Sequence, residues 1–134
     1  MILIDTNILV DIASANAQWR EWSMEALVKA VEQSGRPIIN VIIYAEFSLG
    51  YDRKSECDAD VARLGLEVID ISAEAAFRAG IAFRAYRERG GARTTPLPDF
   101  FIGGQASALR IPLLTRDARR YRTYFPEIET FAPD

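Results

Sequence analysis

Short apolar runs punctuate this sequence, and a helical pattern separates each from the next. Met1-Ile2-Leu3-Ile4 is rich in strand formers and stops at Asp5-Thr6-Asn7. Pro37-Ile38-Ile39-Asn40 and Glu67-Val68-Ile69 read as further short strands. So do Ile111-Pro112-Leu113-Leu114-Thr115, with Pro112 near its start where a missing amide is tolerated, and a segment around Ile128 to Phe131. Between them, apolar residues recur at helical spacing. A first helical pattern runs through Ile8, Leu9, Ile12 and Ala13, and the polar stretch Ala15-Asn16-Ala17 divides it from a second helix over Gln18 to Gln33. Others are expected over Val41 to Leu49, Arg53 to Leu64, Ser72 to Glu88 and Asp99 to Arg110, with one turn over Asp117 to Tyr121. Gly90 to Pro98 is a loop by composition. Strands alternating with helices specify an α/β domain with a parallel sheet. At 134 residues the chain fits one domain, residues 1–134, and 49% hydrophobic residues supply its core.

Composition narrows the chemistry. There is no histidine, which removes Ser-His-Asp triads, Cys-His pairs and His-liganded zinc. Cys57 is the only cysteine, so neither an intrachain disulfide nor a thiolate metal cluster can form. Gly90-Gly91 and Gly103-Gly104 match neither the dinucleotide nor the P-loop spacing. Any catalysis falls to carboxylates, hydroxyls or a bound metal. No segment reaches the roughly 18 apolar residues of a membrane span, and the start does not read as a signal peptide. Together with the single thiol, this points to the cytoplasm.

The net charge of −3 hides a split. Between Arg78 and Arg122 stand ten arginines against three acids, a local balance of +7, while the rest of the chain carries −10. Such asymmetry suits two surfaces with different partners; its plain alternative is a solvated helix face.

Four acids call for explanation. Asp5 closes the first strand and Asp117 lies just past the strand ending near Leu114, both at carboxyl ends where α/β sheets bind ligands. Asp99 opens a helix before Phe100-Phe101-Ile102, and Glu46 sits between Ala45 and Phe47 in an apolar helix. Asp5, Asp99 and Asp117 could each be a helix N-cap, and Glu46 could snorkel to water. Brought together, however, such carboxylates repel unless a cation neutralises them. A histidine-free oxygen cluster suits Mg²⁺ or Mn²⁺, which can activate water and stabilise charge on a phosphoryl oxygen.

These residues carry a resemblance. Met1-Ile2-Leu3-Ile4-Asp5-Thr6-Asn7-Ile8-Leu9, Glu46 within Tyr44-Ala45-Glu46-Phe47, Pro98-Asp99-Phe100-Phe101-Ile102-Gly103-Gly104-Gln105-Ala106 and Leu114-Thr115-Arg116-Asp117 are similar, in order and over essentially the whole chain, to the PIN-domain ribonucleases and most of all to the VapC toxins of toxin–antitoxin pairs. The resemblance implies a parallel sheet of four or five strands with helices on both faces. It implies Asp5, Glu46 and Asp99 as core acids, Asp117 as a fourth, and Thr6, Asn7 and Thr115 as supporting polar residues. The implied reaction is Mg²⁺- or Mn²⁺-dependent endonucleolytic hydrolysis of RNA by activated water, leaving 5′-phosphate ends. Arg84, Arg87, Arg89, Arg93, Arg116, Arg119 and Arg120 are candidate RNA contacts, and Tyr86, Tyr121 and Tyr124 candidate stacking residues. A cognate antitoxin and a homodimer are the implied protein partners. Trp19 and Trp22, at i and i+3, suit either a partner surface or the core.

Two other readings compete. In a Mg²⁺-dependent phospho-acceptor Asp5 would be the nucleophile, but the phosphatase pattern wants an Asp where Asn7 stands, and a receiver wants a late lysine, whereas the only lysines are Lys29 and Lys54. A non-catalytic RNA- or protein-binding module would use the arginine-rich segment and leaves Glu46 unexplained.

Overall fold

A computed structural model describes residues 1–15, 18–94 and 97–133. The elements run β1 (Ile2–Ile4), α1 (Thr6–Ala13), α2 (Arg20–Ser34), β2 (Pro37–Asn40), α3 (Val41–Ser48), α4 (Lys54–Arg63), β3 (Glu67–Ile69), α5 (Ala73–Glu88), α6 (Pro98–Leu109), β4 (Leu113–Leu114), α7 (Arg119–Tyr124) and β5 (Thr130–Phe131). The strands form one sheet in the order β3-β2-β1-β4-β5, with every pair parallel. The α/β class and the parallel five-stranded sheet are those expected from the sequence.

Parallel crossovers are right-handed. The chain moves outward from β1 to β2 and β3, then returns to β4 and β5 on the other side of β1. Constant handedness therefore puts α1 to α4 on one face and the helices after β3 on the other. Covered on both sides, β1 and β2 are buried along their whole length, which explains why they read as unbroken apolar runs rather than alternating ones.

Local signals set most boundaries. Asn40 caps α3, its side-chain oxygen accepting from the Ile43 N–H at 3.0 Å. Ser72 caps α5 through the Ala75 N–H at 3.1 Å, and Pro98 opens α6 at a position where its missing N–H costs nothing. Two segments differ from expectation. The β4 strand is shorter than Ile111 to Thr115 because the Ile111 N–H is taken by the Ala106 carbonyl at the end of α6 and Pro112 has none to give. The last helix starts two residues later than Asp117, whose carboxylate accepts from the Arg119 N–H at 3.3 Å and so stands ahead of the helix. Parts of two expected loops, Asn16-Ala17 and Thr95-Pro96, lie outside the described residues.

Gly103-Gly104, unexplained by any phosphate-loop pattern, has a packing role. A Cβ on Gly104 would lie 2.4 Å from the Ala75 carbonyl oxygen and 3.0 Å from the Ala79 nitrogen. Only glycine lets α6 approach the α5 backbone so closely. That seats Phe100, fully buried, edge-on against Phe83 and Tyr86. It also fixes where the first turn of α6, with Asp99, meets the end of the sheet.

Candidate active site

Strand order reverses at β1, which has β2 on one side and β4 on the other. In open α/β sheets the crevice outside the carboxyl ends at such a reversal is where ligands bind. A cavity of about 710 Å³ opens there, and Asp5, Glu46, Asp99 and Asp117 all line it, with Thr6 and Asn7. Each acid arrives on a different element: the end of β1, the middle of α3, the first turn of α6 and the segment after β4. The four acids singled out in the sequence are thus brought to one place.

Asp5 is the most enclosed, at 5% exposure. Its Oδ1 accepts from the Thr6 N–H at 2.7 Å. Its Oδ2 accepts from the Thr115 hydroxyl at 2.7 Å and the Tyr121 hydroxyl at 3.0 Å. Burial pushes the Asp5 carboxyl up to about 6, nearby Asp99 adds to the rise, and the bonds from Thr115, Tyr121 and Thr6 offset part of it. Thr115, itself fully buried, is the junction of this end of the sheet. While its proton goes to Asp5, its oxygen accepts from the Asn7 amide at 3.3 Å and the Asp117 N–H at 3.2 Å. A hydroxyl has one proton and two lone pairs, so all are in use. The Asn7 oxygen in turn accepts from the Arg116 N–H at 3.1 Å.

Glu46 does not snorkel away: its Oε1 accepts from the Thr6 hydroxyl at 2.6 Å, facing the cavity. Asp99 is not a cap either. The residue before α6 makes no side-chain capping bond, and the Asp99 carboxylate instead meets Arg120 at 3.3 Å and the Tyr121 hydroxyl at 3.4 Å. Burial raises its pKa, with Arg120 opposing. Asp117, 58% exposed along its side chain, is held on two edges by Arg119 at 3.2 Å each, which lowers its pKa. Asp5 combines both sequence readings, capping α1 while lining the cavity, whereas Asp117 bonds the Arg119 N–H but is not the N-cap of α7.

As they stand, no three acidic or cysteine side chains among the described residues are close enough to hold a metal ion together. The donor set nevertheless suits a hard cation. It is all oxygen, converges on one cavity, and includes two neighbouring carboxylates whose charge burial makes costly. Arg119 and Arg120 supply the countercharge instead.

The arginines separate into groups. Arg116 also lines the cavity, but its guanidinium is committed to an internal partner. It donates to both oxygens of Asp11 at 2.7 and 3.1 Å, and its guanidinium lies 5.6 Å from the Trp19 ring centre. Asp11, buried on α1, also accepts from the Ser23 hydroxyl at 2.7 Å. Arg119 and Arg120 sit at the cavity wall, and Arg89 stacks over Tyr124 at 5.4 Å. Arg87 donates to the Arg93 carbonyl at 2.5 Å; Arg84, Arg87 and Arg93 are exposed and do not line the cavity. Tyr86 and Tyr124 line it and present partly open rings, whereas Tyr121, at 1% exposure, is too buried to stack on a base and serves the carboxylates instead. Trp22 packs against the core. Sequence reasoning missed Asp11 and the true role of Tyr121. Asp11 carried a faint signal, lying one helical turn from Asn7 on α1; Tyr121 carried none.

Residues 2–126 match the PIN domain family. The chain is a PIN domain. No curated protein matches its sequence. Among solved structures, this PIN domain is similar to a chain of VapBC2 from Rickettsia felis bound to a fragment of its promoter DNA. The TM-score is 0.72 at 21% identity, covering 100% of each chain. A toxin–antitoxin complex from Klebsiella pneumoniae gives 0.66 at 24%, over 96% of this chain and 95% of the other. FitAcB from Neisseria gonorrhoeae gives 0.68 at 18%, over 98% and 96%. At these identities the likeness is one of fold, and it extends across the whole PIN domain. None of the helices in the described residues is long and apolar enough to cross a membrane.

Proposed function

We propose that this PIN domain is a metal-dependent endoribonuclease, the VapC-like toxin of a toxin–antitoxin pair. The observation that carries the reading is the convergence of Asp5, Glu46, Asp99 and Asp117, from four separate elements, on one cavity at the reversal of the sheet. Asp5, Glu46, Asp99 and Asp117 would hold Mg²⁺ or Mn²⁺, which when bound lowers the pKa of water and stabilises charge on a phosphoryl oxygen. Thr6 ties Glu46 to the start of α1, so that β1 and α3 present their acids together. Thr115 and Asn7 lock the segment after β4 against β1 and fix the orientation of Asp5. Arg119 and Arg120, paired with Asp117 and Asp99, are within reach of a phosphate entering the cavity. Tyr86 and Tyr124 offer ring faces to unpaired bases, which favours single-stranded RNA over duplex.

The phospho-acceptor reading loses support here. No lysine lines the cavity, and Lys54 is paired with Asp58. The deciding assay incubates the purified protein with a mixed RNA pool in Mg²⁺, in Mn²⁺ and in chelator, then sequences only fragments that ligate through a 5′-phosphate. Cleavage should need the cation, vanish in Asp99→Asn, and yield 5′-phosphates. Full activity in chelator, or 2′,3′-cyclic phosphate ends, refutes the mechanism. The partner proposed is an antitoxin protein, in keeping with the toxin–antitoxin complex from Klebsiella pneumoniae that shares this fold. It is tested by co-purification with the product of a small adjacent reading frame that abolishes the cleavage.

A further inference from the structure

We propose that Tyr121 is a positioning residue of this site: its buried hydroxyl pins Asp5 through Oδ2, spans to Asp99, and leaves Oδ1 as the oxygen with which Asp5 meets a cation. The inference rests on the metal-dependent reading above and goes beyond it by assigning a residue outside the four acids and their threonine and asparagine supports.

The carboxylate of Asp5 has about four lone-pair sites, two on each oxygen. Both sites of Oδ2 are taken by protein donors, Thr115 at 2.7 Å and Tyr121 at 3.0 Å. Oδ1 accepts only the Thr6 N–H, at 2.7 Å, and keeps one site free. The same Tyr121 hydroxyl stands 3.4 Å from Asp99 Oδ1. One phenol oxygen therefore lies between Asp5 and Asp99, its single proton directed at Asp5 Oδ2 and its oxygen 3.4 Å from Asp99 Oδ1. Tyr121 is suited to this because nothing else moves it. It is 1% exposed, belongs to the hydrophobic core, and sits on α7. Groups that orient ligating carboxylates through their second oxygen commonly set metal affinity by ten- to a hundredfold.

The test is Tyr121→Phe, which removes one oxygen and keeps the ring in the core, with Tyr51→Phe as the control phenol outside the cavity. Mn²⁺ alone is titrated into each protein by calorimetry, and each is melted without metal. Tyr121→Phe should bind Mn²⁺ about ten- to a hundredfold more weakly than wild type, while Tyr51→Phe binds as wild type does. Equal Mn²⁺ affinity in wild type and Tyr121→Phe overturns the assignment and leaves the metal reading intact. A wild-type protein that takes up no Mn²⁺ removes the metal reading and this assignment with it.

A second measurement keeps the Tyr121 hydroxyl in place, in case the variant melts too low to titrate. All five tyrosines are replaced by 3-fluorotyrosine and followed by fluorine NMR as Mg²⁺ is added, with Tyr44→Phe, Tyr51→Phe, Tyr86→Phe and Tyr124→Phe removing the other four signals in turn. The signal left for Tyr121 should shift and saturate with the calorimetric midpoint. A Tyr121 signal that stays still at saturating Mg²⁺ overturns the proposal.

Discussion

Replacing Asp5 with Asn should make the metal-free protein more stable, not less. The Asp5 carboxyl is raised from 3.8 to about 6 by burial and by Asp99, net of the bonds that favour its charge. Two pKa units correspond to about 3 kcal/mol between the charged and neutral forms, and at pH 7 the folded chain bears nearly all of that cost. The sign follows from proton counts. Between about pH 4 and 6 the folded chain keeps a proton on Asp5 that the unfolded chain has released, so this group makes stability fall as pH rises across that window. Asn carries no charge and can still accept from the Thr6 N–H, so it escapes the charge penalty, while its amide nitrogen replaces the Oδ2 that accepts from Thr115 and Tyr121 and so offsets part of the gain. For 134 residues, an unfolding entropy of about 2.1 cal/mol/K per residue makes 3 kcal/mol worth about 10 °C. Thermal melts of wild type and Asp5→Asn in chelator, at pH 7 and pH 4, measure this directly. The variant should melt higher at pH 7, by up to about 10 °C, and the gap should close or reverse at pH 4. Mn²⁺ should then raise the wild-type midpoint and leave that of the variant in place. A variant that melts lower at pH 7, or a gap that ignores pH, would show that Asp5 serves mainly as the cap of α1 and that the electrostatic reasoning is wrong.

Three further outcomes are expected. Gly104→Ala should destabilise by at least about 1–3 kcal/mol, an overpacking cost, because its Cβ meets the backbone of α5 rather than a movable side chain; urea unfolding monitored by circular dichroism would measure it. Asp11→Ala should cost about 2 kcal/mol in the same assay, less than the ~3–5 of a fully buried pair because Arg116 is partly exposed, and it should lower cleavage while leaving the salt dependence of RNA binding unchanged. Arg87, Arg89 and Arg93 replaced together by Ala in an Asp5→Asn background should weaken binding of a short RNA and flatten its salt slope by about 0.7 per lost contact; an unchanged slope returns that stretch to an ordinary solvated surface.

Where a residue's place at the cavity depends on its own neighbours in sequence, that place was legible. Asp5 follows an apolar strand, Glu46 interrupts an apolar helix, and Asp99 precedes three apolar residues; each is a local conflict between charge and burial that asks for a partner. The strand and helix order was readable for the same reason, since a doubly covered parallel sheet writes itself as unbroken apolar runs. What stayed hidden depends on distant pairing. Arg116 looks from the sequence like its neighbours Arg119 and Arg120, and only the fold reveals that α1 places Asp11 beneath it. Tyr121 is one of three similar tyrosines near the end of the chain, and its burial between two carboxylates follows from how α7 docks on the sheet. The glycine pair could be excluded as a phosphate loop, but its role needed the path of α5.

The hydrogen bonds to Asp5 from Thr115 and Tyr121 join residues 110 and 116 positions apart. A ribosome adding about 5–20 residues per second needs about 6–23 s to cover the longer of these separations. Throughout that interval the first acid exists without the groups that orient it, and β1 lacks β4, its neighbour across the crevice. On the nuclease reading proposed above, a nascent chain would therefore lack the assembled acid cluster until the segment carrying Thr115, Asp117 and Tyr121 has been made.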